Sequence, residues 1–374
     1  MPGPGYRTSS LKLASVPVEN EEIGRPGGEE RELPGTRYAA VLLGAFLVCA
    51  AFSLAQVASG ATEARAAVSA GQNAYVNVQA ATLWSKPYQA RSNVDRPSYS
   101  NPTNLTAWER NMNQSQKGWL IGKTQTQALY GQEVRVLRTY GRWAKVAVRS
   151  QATPKHRLGY PGWVPQRQLT SRTDADLSRG ELMVQVESKY GLIYHDRGVS
   201  RVDHSVSFGT RLPVTGRAPG KVRVADPDGG HHWMKAGQVA FYREGRVRAK
   251  ARPSHRKVRR EALGFRGTPY VWAGTGAYGL DCSGLTHQVY RRFGIDLPRD
   301  AGDQRRAGEA VRWRDKRPGD LLFFGPSPRN ITHVGMYVGD GLMVNAPYAG
   351  REVIVQDVWR SGRMDEFRGV RRYL

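Results

Sequence analysis

Cys282 sits in the stretch YGLDCSGLTHQVY, residues 278–290, between an aspartate and a serine. It is one of two cysteines in 374 residues; the other, Cys49, lies in an apolar run near the start. A cysteine nucleophile needs a lowered pKa, a base in contact and a group that orients the base. The pattern around Cys282 predicts a helix of about three turns, beginning near that residue and ending at Gly294. A sulfur at a helix start lies near unpaired N–H groups and the positive end of the macrodipole. That position lowers a thiol below its free value of about 8.5. Asp281 or Ser283 can cap the first turn, which is a purely structural role.

Eight histidines could serve as base: His156, His195, His204, His231, His232, His255, His287 and His333. His287 shares the helix but stands five residues from Cys282, so it faces away. His231 and His232 fall in a turn of a β-rich region and are expected in solvent. His333 opens the strand-like run HVGMYVG, in a segment that must return to pack against the helix. The orienting group follows from spacing. His333 and Asn345 lie on two strands joined by Gly339-Asp340-Gly341. If Val338 pairs with Leu342, Gly335 faces Asn345 and His333 is its diagonal neighbour on the same face. Asn345 interrupts the apolar run LMVNA, so its amide needs a partner. Its oxygen can accept from an imidazole N–H, which fixes the tautomer and leaves the other nitrogen for sulfur. A Cys/His/Asn set is a known solution for acyl transfer. The ordinary alternatives are a structural strand histidine and a small buried apolar cysteine. With one cysteine beyond the N-terminal segment and no HExxH spacing, the sequence offers no zinc site and calls for no cofactor.

The elements that position these residues fall into three regions. Residues 72–172 alternate short β-like runs with turns; EVRVL, a TYGR turn and WAKVAV read as a hairpin, and GYPGWVPQRQL closes the unit. The Asn/Ser-rich stretch between Arg91 and Gln116 reads as a long polar loop. Residues 180–250 repeat the β texture in about five short runs, so two small all-β units stand in tandem. The basic stretch 246–260 is a boundary, either a solvated linker or a binding patch. The last region joins the Cys282 helix to the strands DLLFF, HVGMYVG and LMVNA, an α+β pattern.

Composition sets the surroundings. Hydrophobic residues make up 40% and charged residues 24%, an ordinary globular balance. The net charge of +24 is not ordinary and favours polyanionic partners. Residues 38–58, YAAVLLGAFLVCAAFSLAQVA, carry no charge and are just long enough to cross a hydrocarbon core of about 30 Å as a helix. Ser59-x-Ala61 and Ala64-x-Ala66 follow as cleavage-like sites. Residues 38–66 are read as an export signal, with a retained membrane anchor as the alternative. Residues 1–37, rich in Gly, Pro and Glu, are expected to be disordered. Export turns the basic surface toward anionic wall polymer or membrane and away from nucleic acid.

The motifs PYVWAGTGAYGLDCSG, LPRDA, RPGDLLFF, HVGMYVGDG and MVNAP, in that order over roughly residues 261–374, resemble the NlpC/P60 family of cell-wall cysteine peptidases. The two preceding units resemble bacterial SH3-like (SH3b) domains, with GYPGWV the clearest piece. The resemblance implies a papain-like α+β catalytic domain over residues 251–374, behind two small all-β SH3-like barrels. The arrangement looks like that of γ-D-glutamyl-L-diamino acid endopeptidases, which cut peptidoglycan stem peptides between D-glutamate and the diamino acid. Stem peptides or muropeptides are then the implied partners.

By that resemblance Cys282 is nucleophile and His333 is base. Asn345 stands where the family usually has a second histidine. Asparagine orients but carries no charge, so it stabilises an imidazolium less. Tyr270 matches a tyrosine that reaches the active site, and Asp281, Ser283 and Asp300 match positions lining the substrate cleft. Tyr160, an upstream glutamate and the aspartate before the cysteine hold the free amine of an N-terminal L-alanine in such relatives. Here Gln125, in KTQTQALYG, stands at the glutamate position, which weakens that amine pocket. Tyr160 is equally suited to the core of its β unit. Two other readings share these motifs: a non-catalytic wall-binding protein, and an amidase or acyltransferase on the same fold.

Overall fold

The structure is a computed structural model that describes residues 67–171, 182–243 and 252–374. The disorder expected of residues 1–37 and the export signal expected over 38–66, the apolar run 38–58 included, lie outside the described residues. Among the described residues no helix is long and apolar enough to cross a membrane.

Alternating apolar positions fold the first β unit into seven strands: β1 (Asn73–Val76), β2 (Ala80–Trp84), β3 (Thr124–Leu129), β4 (Glu133–Tyr140), β5 (Trp143–Val148), β6 (Tyr160–Pro165) and β7 (Leu169–Thr170). They form one antiparallel SH3-like sheet in the order β3-β2-β6-β5-β4-β1-β7, open at both ends rather than a closed ring. The expected hairpin is present, with Tyr140 opposite Trp143 across a two-residue turn. Val76, Leu83, Val136, Val146 and Tyr160 share its core.

The stretch expected as a long loop is instead three short helices, α1 (Arg96–Tyr99), α2 (Leu105–Asn111) and α3 (Gln114–Trp119). Two of its asparagines are caps. Asn104 accepts from Ala107 N, and Asn113 closes a capping box with Gln116. Buried Asp95 organises the segment, accepting from Arg91 Nε at 2.8 Å and from Trp108 Nε1 at 2.8 Å. Leu105, Trp108, Met112 and Leu120 pack on Trp84 and Trp163, and also on Val271 and Tyr278 of the last region.

The second β unit has seven strands where five runs were expected: β8 (Leu182–Val186), β9 (Tyr190–Tyr194), β10 (Val202–Ser207), β11 (Arg211–Ala218), β12 (Lys221–Ala225), β13 (His231–Lys235) and β14 (Val239–Arg243). Two of the runs each hold two strands, split at Gly209 and at a 3-10 turn over Ala236–Gln238. His231 and His232 therefore lie on β13 and not in a turn.

The last region begins inside the expected linker. Ser254 caps a helix, α4 (His255–Leu263), which buries Val258 and Ala262 against the core. Two short strands, β15 (Thr275–Gly276) and β16 (Gly279–Leu280), lead into α5 (Cys282–Arg291), followed by α6 (Ala301–Ala307). A six-stranded sheet completes the α+β unit: β17 (Glu309–Val311), β18 (Leu321–Phe324), β19 (His333–Gly339), β20 (Leu342–Asn345), β21 (Ile354–Asp357) and β22 (Phe367–Arg372), in the order β17-β22-β18-β19-β20-β21. Leu285 and Val289 of α5 pack on Phe323, Val334 and Met336. The opening turn of α5 needs a glycine. A Cβ on Gly284 would lie 2.1 Å from the Gly274 carbonyl oxygen.

Candidate active site

The nucleophile candidate is the first residue of α5. Asp281 is the N-cap, and its Oδ1 accepts from Gly284 N at 2.6 Å. Tight packing of α5 on β19 brings the start of that strand to the sulfur, and the Val334 and Ser283 backbone N–H groups are directed at it. His333, one residue before Val334, is buried with its ring tilted against Phe324.

The strand register delivers Asn345 to His333, with one correction. Gly339, not Val338, pairs with Leu342, and a bulge restores Met336 opposite Val344. Gly335 then faces Asn345 as expected; a Cβ there would lie 3.3 Å from the Asn345 Cβ. His333 Nε2 lies 3.0 Å from Asn345 Oδ1. Oδ1 can only accept, so the imidazole proton sits on Nε2 and Nδ1 keeps its lone pair. The structure thus pairs His333 with Asn345 and brings the next residue, Val334, to the Cys282 sulfur through its backbone N–H.

The expected lowering of the Cys282 pKa is not what the site produces. Burial pushes the thiol up to about 12, and the neighbouring Asp281 carboxylate adds to the rise. The backbone donors and Arg299 oppose this and lose. Burial likewise lowers the His333 imidazole to about 3, helped by the Arg363 guanidinium. Asn345 favours the imidazolium too weakly to reverse this. The resting pair is therefore neutral thiol and neutral imidazole. Alkylation of Cys282 by iodoacetamide should accelerate steadily with pH from about 6 to 10, because the reactive thiolate forms only as pH rises toward the raised pKa. A plateau reached below pH 7 would mean that a thiolate–imidazolium pair prevails over burial.

The cleft in front of the sulfur has a volume of about 640 Å³. Gln125 and Tyr160 of the first β unit line it, together with Asp281, Ser283 and Asp300 of the last. β3 is held there by Trp272 Nε1 donating to Thr124 O at 3.2 Å and Thr275 Oγ1 donating to Gln127 O at 3.0 Å. Tyr160 belongs to the core of its β unit and also lines the cleft. Its ring belongs to the first core, while its hydroxyl donates to Asp300 at 2.9 Å. Burial, reinforced by Asp300, pushes that phenol well above its ordinary range. Tyr270 shares the hydrophobic cluster of Cys282 and is likewise raised by burial, with Cys282 itself as the next cause. Tyr270, His333 and Asn345 are buried and are not among the residues lining the cleft.

Two cations escaped the sequence reading. Arg299, 1% exposed, donates through Nη2 to Asp281 Oδ2 at 2.7 Å and through Nη1 to Ser283 Oγ at 2.9 Å. Its Nε donates to Thr126 Oγ1 at 2.9 Å, so it ties the first β unit to the base of α5. Lys155 lies 2.8 Å from Asp300 Oδ2 and also donates to the Tyr160 hydroxyl. The LPRDA motif contains Arg299, but a chain position does not reveal that an arginine is buried. Asp281 and Asp300 thus reach the cleft already paired with cations. His287 is structural, bonded through Nδ1 to Leu297 O at 2.8 Å. Among the described residues, the one group spaced to hold a metal ion is His195, Asp203 and His232, in the second β unit.

Compared with known proteins, residues 267–372 match the NlpC/P60 family and residues 186–242 match the YKFC SH3b2 domain. A "Gamma-D-glutamyl-L-lysine dipeptidyl-peptidase" of Bacillus cereus is 38% identical over 320 residues, 84% of this chain and 95% of the relative. A protein of the same name from Bacillus subtilis is 31% identical over 66% of this chain and 80% of the relative. The crystal structure of an NlpC/P60 family protein from Bacillus cereus superposes with a TM-score of 0.77 at 38% identity, covering 81% of this chain and all of that one.

Proposed function

This chain belongs to the NlpC/P60 family of cysteine peptidases, and from that premise we propose that it hydrolyses the γ-D-glutamyl–diamino acid bond of peptidoglycan stem peptides. One observation carries the reading: Cys282, on the lining of a cleft built from two domains, begins a helix that meets the strand opened by His333, whose Nε2 is bonded to Asn345. The names of the relatives support the bond. The apolar stretch 38–58 supports action outside the cytoplasmic membrane.

The chemistry follows from a neutral pair. The Cys282 thiol gives its proton to His333 Nδ1 as sulfur attacks the γ-carbonyl of D-glutamate. The Cys282 backbone N–H, at the first helical position, has no intrahelical acceptor and is directed to the oxyanion. His333 passes the proton to the leaving amine of the diamino acid. A water, deprotonated by His333, then attacks the thioester and restores the thiol. General-base transfer replaces a preformed thiolate, which the buried site disfavours.

The acyl side of the substrate lies toward Gln125, Tyr160 and Asp300. Because Asp281 and Asp300 are paired with Arg299 and Lys155, and residue 125 is neutral, little net negative charge remains for a substrate ammonium. We expect L-Ala-γ-D-Glu-L-Lys and its N-acetyl form to be cleaved with kcat/KM values within about tenfold of each other. Gln125→Glu adds a charge-assisted partner for the free amine and should favour the unblocked peptide by a further factor of about 10 to 100. A wild type that leaves the acetylated peptide untouched would show that the paired aspartates suffice to demand a free amine.

A further inference from the structure

The second β unit carries a cluster that the peptidase chemistry does not use. His195 follows β9, Asp203 and His204 lie on β10, and His232 lies on β13. Asp203 is the centre. His195 Nε2 lies 3.1 Å from its Oδ1, His232 Nε2 lies 3.4 Å from its Oδ2, and all three candidate ligand atoms fall within 4.8 Å of one another. Zinc bonds of about 2.0–2.1 Å in a tetrahedral site place neighbouring ligand atoms about 3.3 Å apart. The two imidazoles lie near that value from different oxygens of Asp203, and three ligand atoms within 4.8 Å of one another need only a small inward shift to reach it.

The outer contacts are those of a metal site as well. His232 Nδ1 lies 2.7 Å from Asp226 Oδ2, so a carboxylate holds the ring with Nε2 turned to Asp203. Asp226 is itself buried and fixed by the backbone N–H groups of Asp228 and Gly230, at 2.8 and 2.9 Å. On the other side His204 Nδ1, 2.8 Å from Asp203 Oδ2, orients the carboxylate from beneath, and its ring is braced against Tyr130. His195 leaves an open side, with its side chain 40% exposed. Two imidazoles, one carboxylate and an open position suit a divalent transition metal with a water as fourth ligand.

We infer that His195, Asp203 and His232 form a structural binding site for a divalent transition metal of the zinc type. The ion would staple the outer β9–β10 hairpin to β13, to which β9 is joined through the single registered pair Trp233–Tyr194. The same β10 supports the segment leading to the nucleophile: Ser207 Oγ accepts from Ala277 N at 2.8 Å, and Tyr278 Oη donates to Ser205 O at 3.2 Å. The sequence offers no zinc site because these residues come from three separate segments with no local spacing motif.

The test uses the untagged, metal-stripped full chain carrying Cys282→Ala, so that the active-site thiol cannot contribute. Zn²⁺ is titrated calorimetrically, and Co²⁺ is added to read its visible d–d absorption. The expected result is one ion per chain, a Co²⁺ spectrum of low coordination number, and a Tm that rises with Zn²⁺ concentration. Asp203→Asn and His232→Ala should each weaken binding by about 100-fold or more, and Asp226→Asn by about 10- to 100-fold through the second layer of contacts. Absence of binding below millimolar Zn²⁺, or binding unchanged in Asp203→Asn, overturns the site. The near-isosteric asparagine variant keeps the result readable if the alanine variant folds poorly.

Discussion

Cys282→Ala should lower kcat/KM on a γ-D-glutamyl peptide by roughly ten-thousand-fold or more while the protein stays folded. The substitution removes one sulfur from a helix start whose cap, Asp281 to Gly284, is untouched. Leu285, Val289 and Phe323 hold that helix to the sheet without help from the thiol. Nothing else near the cleft can replace it. Among the described residues Cys282 is the only thiol, and Ser283 Oγ is engaged with Arg299 and Asp281. Cys282→Ser should be nearly as inactive, because a hydroxyl needs a stronger base than an imidazole held near pKa 3. Circular dichroism would show the unchanged fold, and a chromatographic peptide assay would show the loss. Activity within tenfold of wild type in Cys282→Ala would remove Cys282 from the mechanism.

The largest effect on stability belongs to Arg299. Its guanidinium neutralises buried Asp281 and reaches Ser283 and Thr126, so it joins two domains under the nucleophile. Arg299→Met leaves the Asp281 carboxylate buried without a counter-charge, which costs about 3–5 kcal/mol. Urea unfolding should show that drop. Arg299→Lys should recover little, because an ammonium cannot form the same fork of bonds. Arg299→Met combined with Asp281→Asn should recover much of the loss, since the orphaned charge is then gone. Peptidase activity should fall with the single substitution, as Asp281 both caps the helix and borders the cleft. A loss below about 1 kcal/mol in Arg299→Met would mean that water reaches Asp281 and that the pair carries little weight.

The pairing of His333 with Asn345 was legible because its geometry is local. A Gly-Asp-Gly turn and strand alternation place Asn345 beside His333 even though the pairing at Leu342 is off by one residue. The helix at Cys282 was legible from its cap and its apolar spacing. The thiol pKa was not, since dipole and cap are written in sequence while burial is a property of the whole fold, and burial wins. The helices over 96–119 escaped for a related reason. Asn104 and Asn113 look like loop residues until their side chains are seen to cap helices that Trp108 packs into the core. Arg299, Lys155 and the His195–Asp203–His232 cluster depend on contacts between distant segments, which no periodicity reports. Gln125 does line the cleft, where the neighbouring aspartates already have partners.

The most direct test is product analysis. The full chain and its Cys282→Ala variant would be incubated with L-Ala-γ-D-Glu-L-Lys-D-Ala in ¹⁸O-labelled water, and the products read by mass spectrometry. The account requires L-Ala-D-Glu with one ¹⁸O in its γ-carboxyl, together with L-Lys-D-Ala, from the wild type alone. Cleavage at any other bond, or the same products from the variant, would contradict it.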